Sequence, residues 1–173
     1  MPYARSTALS IARVLLRIFR VLNLILVLVV LGWLLATFMR APFFQHFFSV
    51  RPARLDPGLL MPALRMWMLL TLPALAAVNI LLTRLLAMVE TVRAGNPFVP
   101  DNAVRLKTIA WCMLGLQLFD LVCGAMAAIM NATGSRIDWH WSPTGWLAVA
   151  LLFVLAQVFE EGTRIRTELE AMI

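Results

Sequence analysis

From Ile18 to Met39 the chain is almost continuously apolar, broken by little more than Asn23, Gly32 and Thr37. At 1.5 Å of rise per residue such a run makes a helix of about 33 Å, enough to cross the hydrocarbon core of a bilayer. Lipid offers the backbone no hydrogen-bond partners, so a single segment of this kind is stable there only as a helix. A cleaved export signal would have an apolar stretch of about 7 to 15 residues and a small-residue cleavage site. This run has neither and reads as a retained membrane helix. The pattern recurs at residues 66–88, 109–130 and 145–160, the last being the shortest.

Composition agrees. Only 14% of the 173 residues are charged and 62% are hydrophobic, whereas a soluble domain carries about 25% charge. Mean hydropathy is +0.86. Too little polar surface is present to solvate a globule. The predicted fold is therefore all-α: one polytopic membrane domain over residues 1–173, built as a four-transmembrane-helix bundle.

The net charge is +6, but the basic residues sit at the ends of apolar runs and form no patch interleaved with aromatics. That placement fits lipid headgroups and not direct nucleic-acid binding. Four crossings put both ends of the chain on one side. Arg40, Arg51, Arg54, Arg65 and Arg136 then fall on the opposite side, and the other basic residues, including Arg84, Arg93, Arg105, Lys107, Arg164 and Arg166, fall on the side of the ends. This bias predicts an N-in/C-in orientation in the cell's inner (plasma) membrane. Trp33, Trp67, Trp139, Trp141 and Trp146 gather at the outer interface, where amphipathic indoles prefer to lie. Arg13, Arg17 and Arg20 share one helical face and are expected to meet anionic headgroups.

The stretch VRAGNPFVPDNAVRLK, residues 92–107, is the cytoplasmic turn between the second and third spans. Gly95 can end the incoming helix in the left-handed conformation, and Pro97 removes a backbone donor. Asn96 precedes a proline and is pushed out of helical geometry. Asp101 is the expected N-cap of the next helix. Phe98, Val99 and Asn102 are candidate contacts for a soluble partner. Residues 160–173 form a charge-laced cytoplasmic tail, with Glu160–Arg164, Arg164–Glu168 and Arg166–Glu170 at the four-residue spacing of helical ion pairs.

Gly95, Asn96, Pro97, Phe98, Asn102, Leu106, Ile109 and Trp111, together with Phe159 and Gly162 before the charged tail, resemble the signature of a bacterial membrane family known as domain of unknown function 2975. The resemblance implies a small four-helix membrane protein without established activity. It also implies a gene neighbour encoding a small helix-turn-helix regulator. The tail departs from the commoner form at Gln157, where an acidic residue is usual.

Asp120 is the costliest residue to insert, at about 2.5–3.5 kcal/mol near the centre of a span. It must face the bundle interior, where Asn79 and Gln117 are candidate hydrogen-bond partners. Gly124, Ala128 and Ala132 follow it at four-residue steps and would let another helix approach, in this chain or in a homo-oligomer. Asp120, Gln117 and Asn79 could form a proton or ion path, but a polar clasp fixing helix register is the favoured reading.

Other chemistry finds little support. Cys112 and Cys123 lie about 16 Å apart along one helix, beyond disulfide reach. His46, His140, Asp56 and Asp138 lack metal-ligand spacing. The Glu-Glu-Gly-Thr-Arg run beginning at Glu160 does not match the spacing of intramembrane proteases. Phe43, Phe44, Phe47 and Phe48 read as an interfacial segment. Neither cofactor nor metal is expected, and no nucleophile or phosphate-binding arrangement points to an enzyme. The expected function is regulatory or interactive, with a helix-turn-helix regulator as candidate partner. The alternative is a small transporter or channel subunit working through Asp120.

Overall fold

The computed structural model describes residues 2–39, 57–95, 99–132 and 138–171. Among them four helices follow in order: α1, Pro2–Met39; α2, Pro57–Arg93; α3, Pro100–Ala132; and α4, Pro143–Ala171. Each is long and apolar enough to cross a bilayer. Each also overruns the apolar window that announced it. With 33 residues, α3 is about 50 Å long against a hydrocarbon core of about 30 Å. The fourth helix is the shortest, at 29 residues. Pro62 and Pro73 both lie inside α2; Pro73 has no N–H for the Leu69 carbonyl, a loss that membrane helices tolerate when neighbours compensate.

Gly95 ends the α2 turn with φ of 82°. The backbone of Ala94 donates to Glu90 O at 3.0 Å and that of Gly95 to Val92 O at 3.1 Å. Glycine adopts this left-handed geometry without the clash a Cβ would cause. Asn96, Pro97 and Phe98 lie outside the described residues. The expected N-cap at Asp101 is corrected: α3 begins at Pro100, two residues earlier than that cap would place its first helical residue. Proline suits the first helical position because its missing N–H would have no helical partner there. Asp101 stands instead in the first turn, where its charge complements the helix dipole.

Packing runs in chain order. α1 lies on α2, α2 on α3, and α3 on α4, with no close packing between other pairs among the described residues. The bundle is therefore open. Its tightest seam surrounds the first half of α3, where Leu106 and Ile109 meet Ala156 of α4, with Leu81, Leu85 and Met88 of α2 and Leu152 and Phe159 of α4 packed around them. The outward faces stay apolar: Leu28, Leu35, Leu147 and Leu151 are about 60–70% exposed. Such faces are suited to lipid and would be costly in water.

Register follows from a few anchors. Thr91 meets Asn102 and the Ala87 carbonyl meets Arg105 across the α2–α3 turn. Arg13 meets Glu90, and Arg65 meets the Thr37 carbonyl, at the two ends of the α1–α2 pair. The starts of α1 and α3 and the ends of α2 and α4 thus share one end of the molecule.

Candidate functional site

The best-organised polar cluster lies at this turn-bearing end. Asn102, with no exposed surface, donates from Nδ2 to Thr91 Oγ1 at 2.7 Å. Thr91 Oγ1 in turn donates to Met88 O at 2.8 Å. On the other side of the amide, Arg105 donates from one guanidinium nitrogen to Asn102 Oδ1 at 3.0 Å. The same nitrogen reaches Ala87 O at 3.4 Å. A hydroxyl has one proton, so the Thr91 bond to Met88 sets the direction of the chain: Arg105 to Asn102, Asn102 to Thr91, Thr91 to the backbone of α2. Asp101 Oδ2 accepts from the other Arg105 terminus at 3.4 Å. Every bond crosses the turn or stiffens its base. A buried polar group satisfied in this way fixes geometry, because any other helix register would strand it.

Beside the clasp, Glu90 accepts from Arg13 at 2.9 Å, and Arg17 stands 3.9 Å away. Arg13 and Arg17, expected on lipid headgroups, converge here on a carboxylate of α2. Both partners of the closer pair are partly solvated, so its worth is about 1 kcal/mol or less. Arg20 Nε is buried without a partner, as is Asn23 Oδ1.

Between the start of α3 and the end of α4 runs a groove of about 490 Å³, lined by Ala103, Val104, Lys107, Glu160, Thr163 and Arg164 among others. Arg164 pairs with Glu161 at 2.7 Å and Glu168 at 3.5 Å. The expected Glu160–Arg164 pair does not form: Glu160 faces the groove.

The three intramembrane residues read as one cluster do not come together. No hydrogen bond joins any two of Asp120, Gln117 and Asn79 among the described residues. Asp120 Oδ1 accepts from Trp139 Nε1 at 3.4 Å. Gln117 lies against Gly145 of α4, where a methyl group would overlap its amide. Asn79 lines a groove of about 510 Å³ between α1 and α2, and its Oδ1 is 3.4 Å from Thr83 Oγ1. The hairpin register explains the separation. It sets Asn79 level with Leu114, so Asp120 lies about six residues, or about 9 Å, further along.

The small-residue stripe is also divided. Gly124 is buried, but Ala128 and Ala132 are exposed. What approaches Gly124 is the Trp139 indole, which a Cβ at that position would overlap. Of the candidate partner contacts, Phe98 lies outside the described residues and Val99 is half-buried. Asn102 is corrected from surface contact to buried clasp. His46, Asp56 and Phe43, Phe44, Phe47 and Phe48 lie outside the described residues, within which no group of three acidic, histidine or cysteine side chains could hold a metal ion.

Several organising residues carry only a weak signal of their role in the sequence. Thr91 and Arg105 look like an ordinary helix threonine and an ordinary interfacial arginine. Their meeting depends on the length of the turn, and threonine eleven residues before asparagine across a Gly-Asn-Pro turn was the available clue. Glu90, the single acid in α2, was a visible clue to the Arg13 pairing. Arg65, counted only as an outer charge, donates to the Thr37 carbonyl at 2.6 Å and lies 4.3 Å over the Phe38 ring. It thus serves the negative end of α1.

Four long apolar helices joined by a clasped turn define a small multi-pass membrane protein. Within that class, residues 52–173 match the family model described as Protein of unknown function (DUF2975), and the chain belongs to that family. The match takes in α2, α3 and α4 and leaves α1 outside it. No curated protein and no solved structure matches the chain.

Proposed function

We propose that this protein is a non-enzymatic docking platform of the bacterial inner membrane, whose turn-bearing end faces the cytoplasm and binds a soluble partner of the small helix-turn-helix regulator kind. The observation that carries this reading is the rigid overhang at that end. α4 continues for about a dozen residues, about 18 Å, beyond Phe159. α3 begins about 13 Å before Ile109. The Arg105–Asn102–Thr91 chain fixes the end of α2 against the start of α3, and a preorganised surface gives up less entropy when it binds. The α4 overhang offers alternating charge through Glu161, Arg164 and Glu168, with exposed Ile165 among them. The excess of basic residues at this end supports its cytoplasmic placement.

A photo-crosslinking side chain at Val99 or Ile165, introduced in living cells, tests the reading. A discrete protein adduct is expected at both positions, absent from a control at lipid-facing Leu28 and diminished by Phe98→Ala. Identical adduct patterns at all three positions, or capture indifferent to Phe98, would remove the docking face.

A further inference from the structure

We propose that the α3–α4 groove is a binding site for a phospholipid with a phosphoethanolamine headgroup, its phosphate held by Lys107 and its ammonium by Glu160. This goes beyond the docking reading and does not depend on it.

The first observation is a pair of opposite charges left apart. Lys107 on α3 and Glu160 on α4 line the same groove, yet neither makes an ion pair or hydrogen bond among the described residues. The other acids described near this end behave differently: Glu90, Asp101, Glu161 and Glu168 each sit within 4 Å of an arginine. A cation and an anion on facing walls, too far apart to satisfy each other, complement a zwitterion inserted between them. An anionic headgroup or free phosphate would satisfy Lys107 but be repelled by Glu160.

The second observation concerns the kind of ammonium. Thr163, 7% exposed, lines the α4 wall and spends its proton on Phe159 O at 2.7 Å. Thr167 does the same toward Thr163 O at 3.0 Å. Both hydroxyl oxygens therefore present lone pairs and no proton. With the Arg164 guanidinium on the same wall taken up by Glu161 and Glu168, these oxygens and the Glu160 carboxylate make an acceptor-rich wall, suited to a primary ammonium with three N–H donors and not to a quaternary one.

The third observation is depth. Lys107 and Glu160 stand where the apolar stretches of α3 and α4 end, at headgroup level. One turn further into the span, on the Lys107 face, Trp111 is 59% exposed. Its ring meets Phe153 edge-on, with centroids 5.4 Å apart and planes at 87°. This aromatic ledge lies inside the membrane, where a soluble partner cannot reach it but an acyl chain can. An indole beneath a charged rim is a natural seat for the glycerol region and upper chain of a lipid.

The test uses the purified full-length chain in detergent, exposed to an equimolar mixture of phosphatidylethanolamine, phosphatidylglycerol and phosphatidylcholine with identical acyl chains, and read by native mass spectrometry. Wild type is expected to retain the ethanolamine lipid above both others. Glu160→Gln, which keeps the side-chain shape, should lower the ethanolamine-to-glycerol ratio about fivefold or more, while Lys107→Gln should weaken retention of all three phosphatidyl lipids. Circular dichroism and thermal midpoint establish that each variant is folded. Preferential retention of phosphatidylglycerol by wild type would mean attraction by net charge alone and overturn the proposal. So would an unchanged ratio in folded Glu160→Gln, or no retained lipid.

Discussion

Truncating Asn102 to alanine removes the centre of the turn clasp, and its cost can be worked from the bonds it severs. The Asn102–Thr91 bond at 2.7 Å is neutral, and the Arg105–Asn102 bond at 3.0 Å has a charged donor. Net contributions of about 1 kcal/mol for the first and about 2 kcal/mol for the second, plus a small cavity at a fully buried site, give a loss of about 2–4 kcal/mol. Part of the charged term returns if Arg105 shifts fully onto Asp101 and Ala87 O, its other partners. That relaxation favours the lower end. The assay is equilibrium unfolding in mixed micelles, titrating a denaturing detergent and following helical circular dichroism. Thr91→Val serves as the second corner of a double-mutant cycle. Because Asn102 and Thr91 share a bond, the cycle should show coupling of about 1 kcal/mol or more. A loss under about 0.5 kcal/mol for Asn102→Ala, or strict additivity with Thr91→Val, would refute the clasp as a stabilising unit.

Other consequences are open to similar tests. Glu90→Gln should cost about 1 kcal/mol or less, and raising the salt concentration should erase the difference; a salt-independent loss would mean that the carboxylate does more than pair with Arg13. Gly124→Ala should push the Trp139 indole off α3 and cost about 1–3 kcal/mol, seen as a red shift in tryptophan emission. Asp120→Asn keeps an acceptor oxygen for Trp139 Nε1, so stability should change by less than about 1 kcal/mol; a larger loss would show that the charge itself is needed. A cysteine at position 96, with Cys112 and Cys123 replaced by serine, should resist an impermeant thiol reagent applied from the periplasmic side. Labelling there would reverse the proposed orientation.

The helices were legible in the sequence because their cause is local. A run such as Ile18–Met39 has one viable conformation in lipid, whatever it packs against. Gly95 was legible for the same reason, since its left-handed backbone is a property of a single residue. Asp101 stands two positions from its expected place because two N-terminal signals competed, and the fixed φ of Pro100 prevailed. The polar cluster failed differently. Asp120 and Asn79 each lie well inside an apolar run, but only the bonded register of the hairpin sets their relative height.

Hydropathy and turn chemistry thus determined that this chain makes four long helices, where the α2–α3 reversal falls, and which ends lie together. These features depend on the solvent and on nearest neighbours in the chain. Only the tertiary structure decided that Asn102 is an interior clasp, that Arg13 meets Glu90, that Trp139 covers Gly124, and that Lys107 and Glu160 face one groove without touching. Each is a side-chain meeting between segments distant in sequence or on different helices. A helix can present a polar residue to any azimuth at little cost in backbone energy, so the partner is chosen by how the rods are rotated and slid against one another.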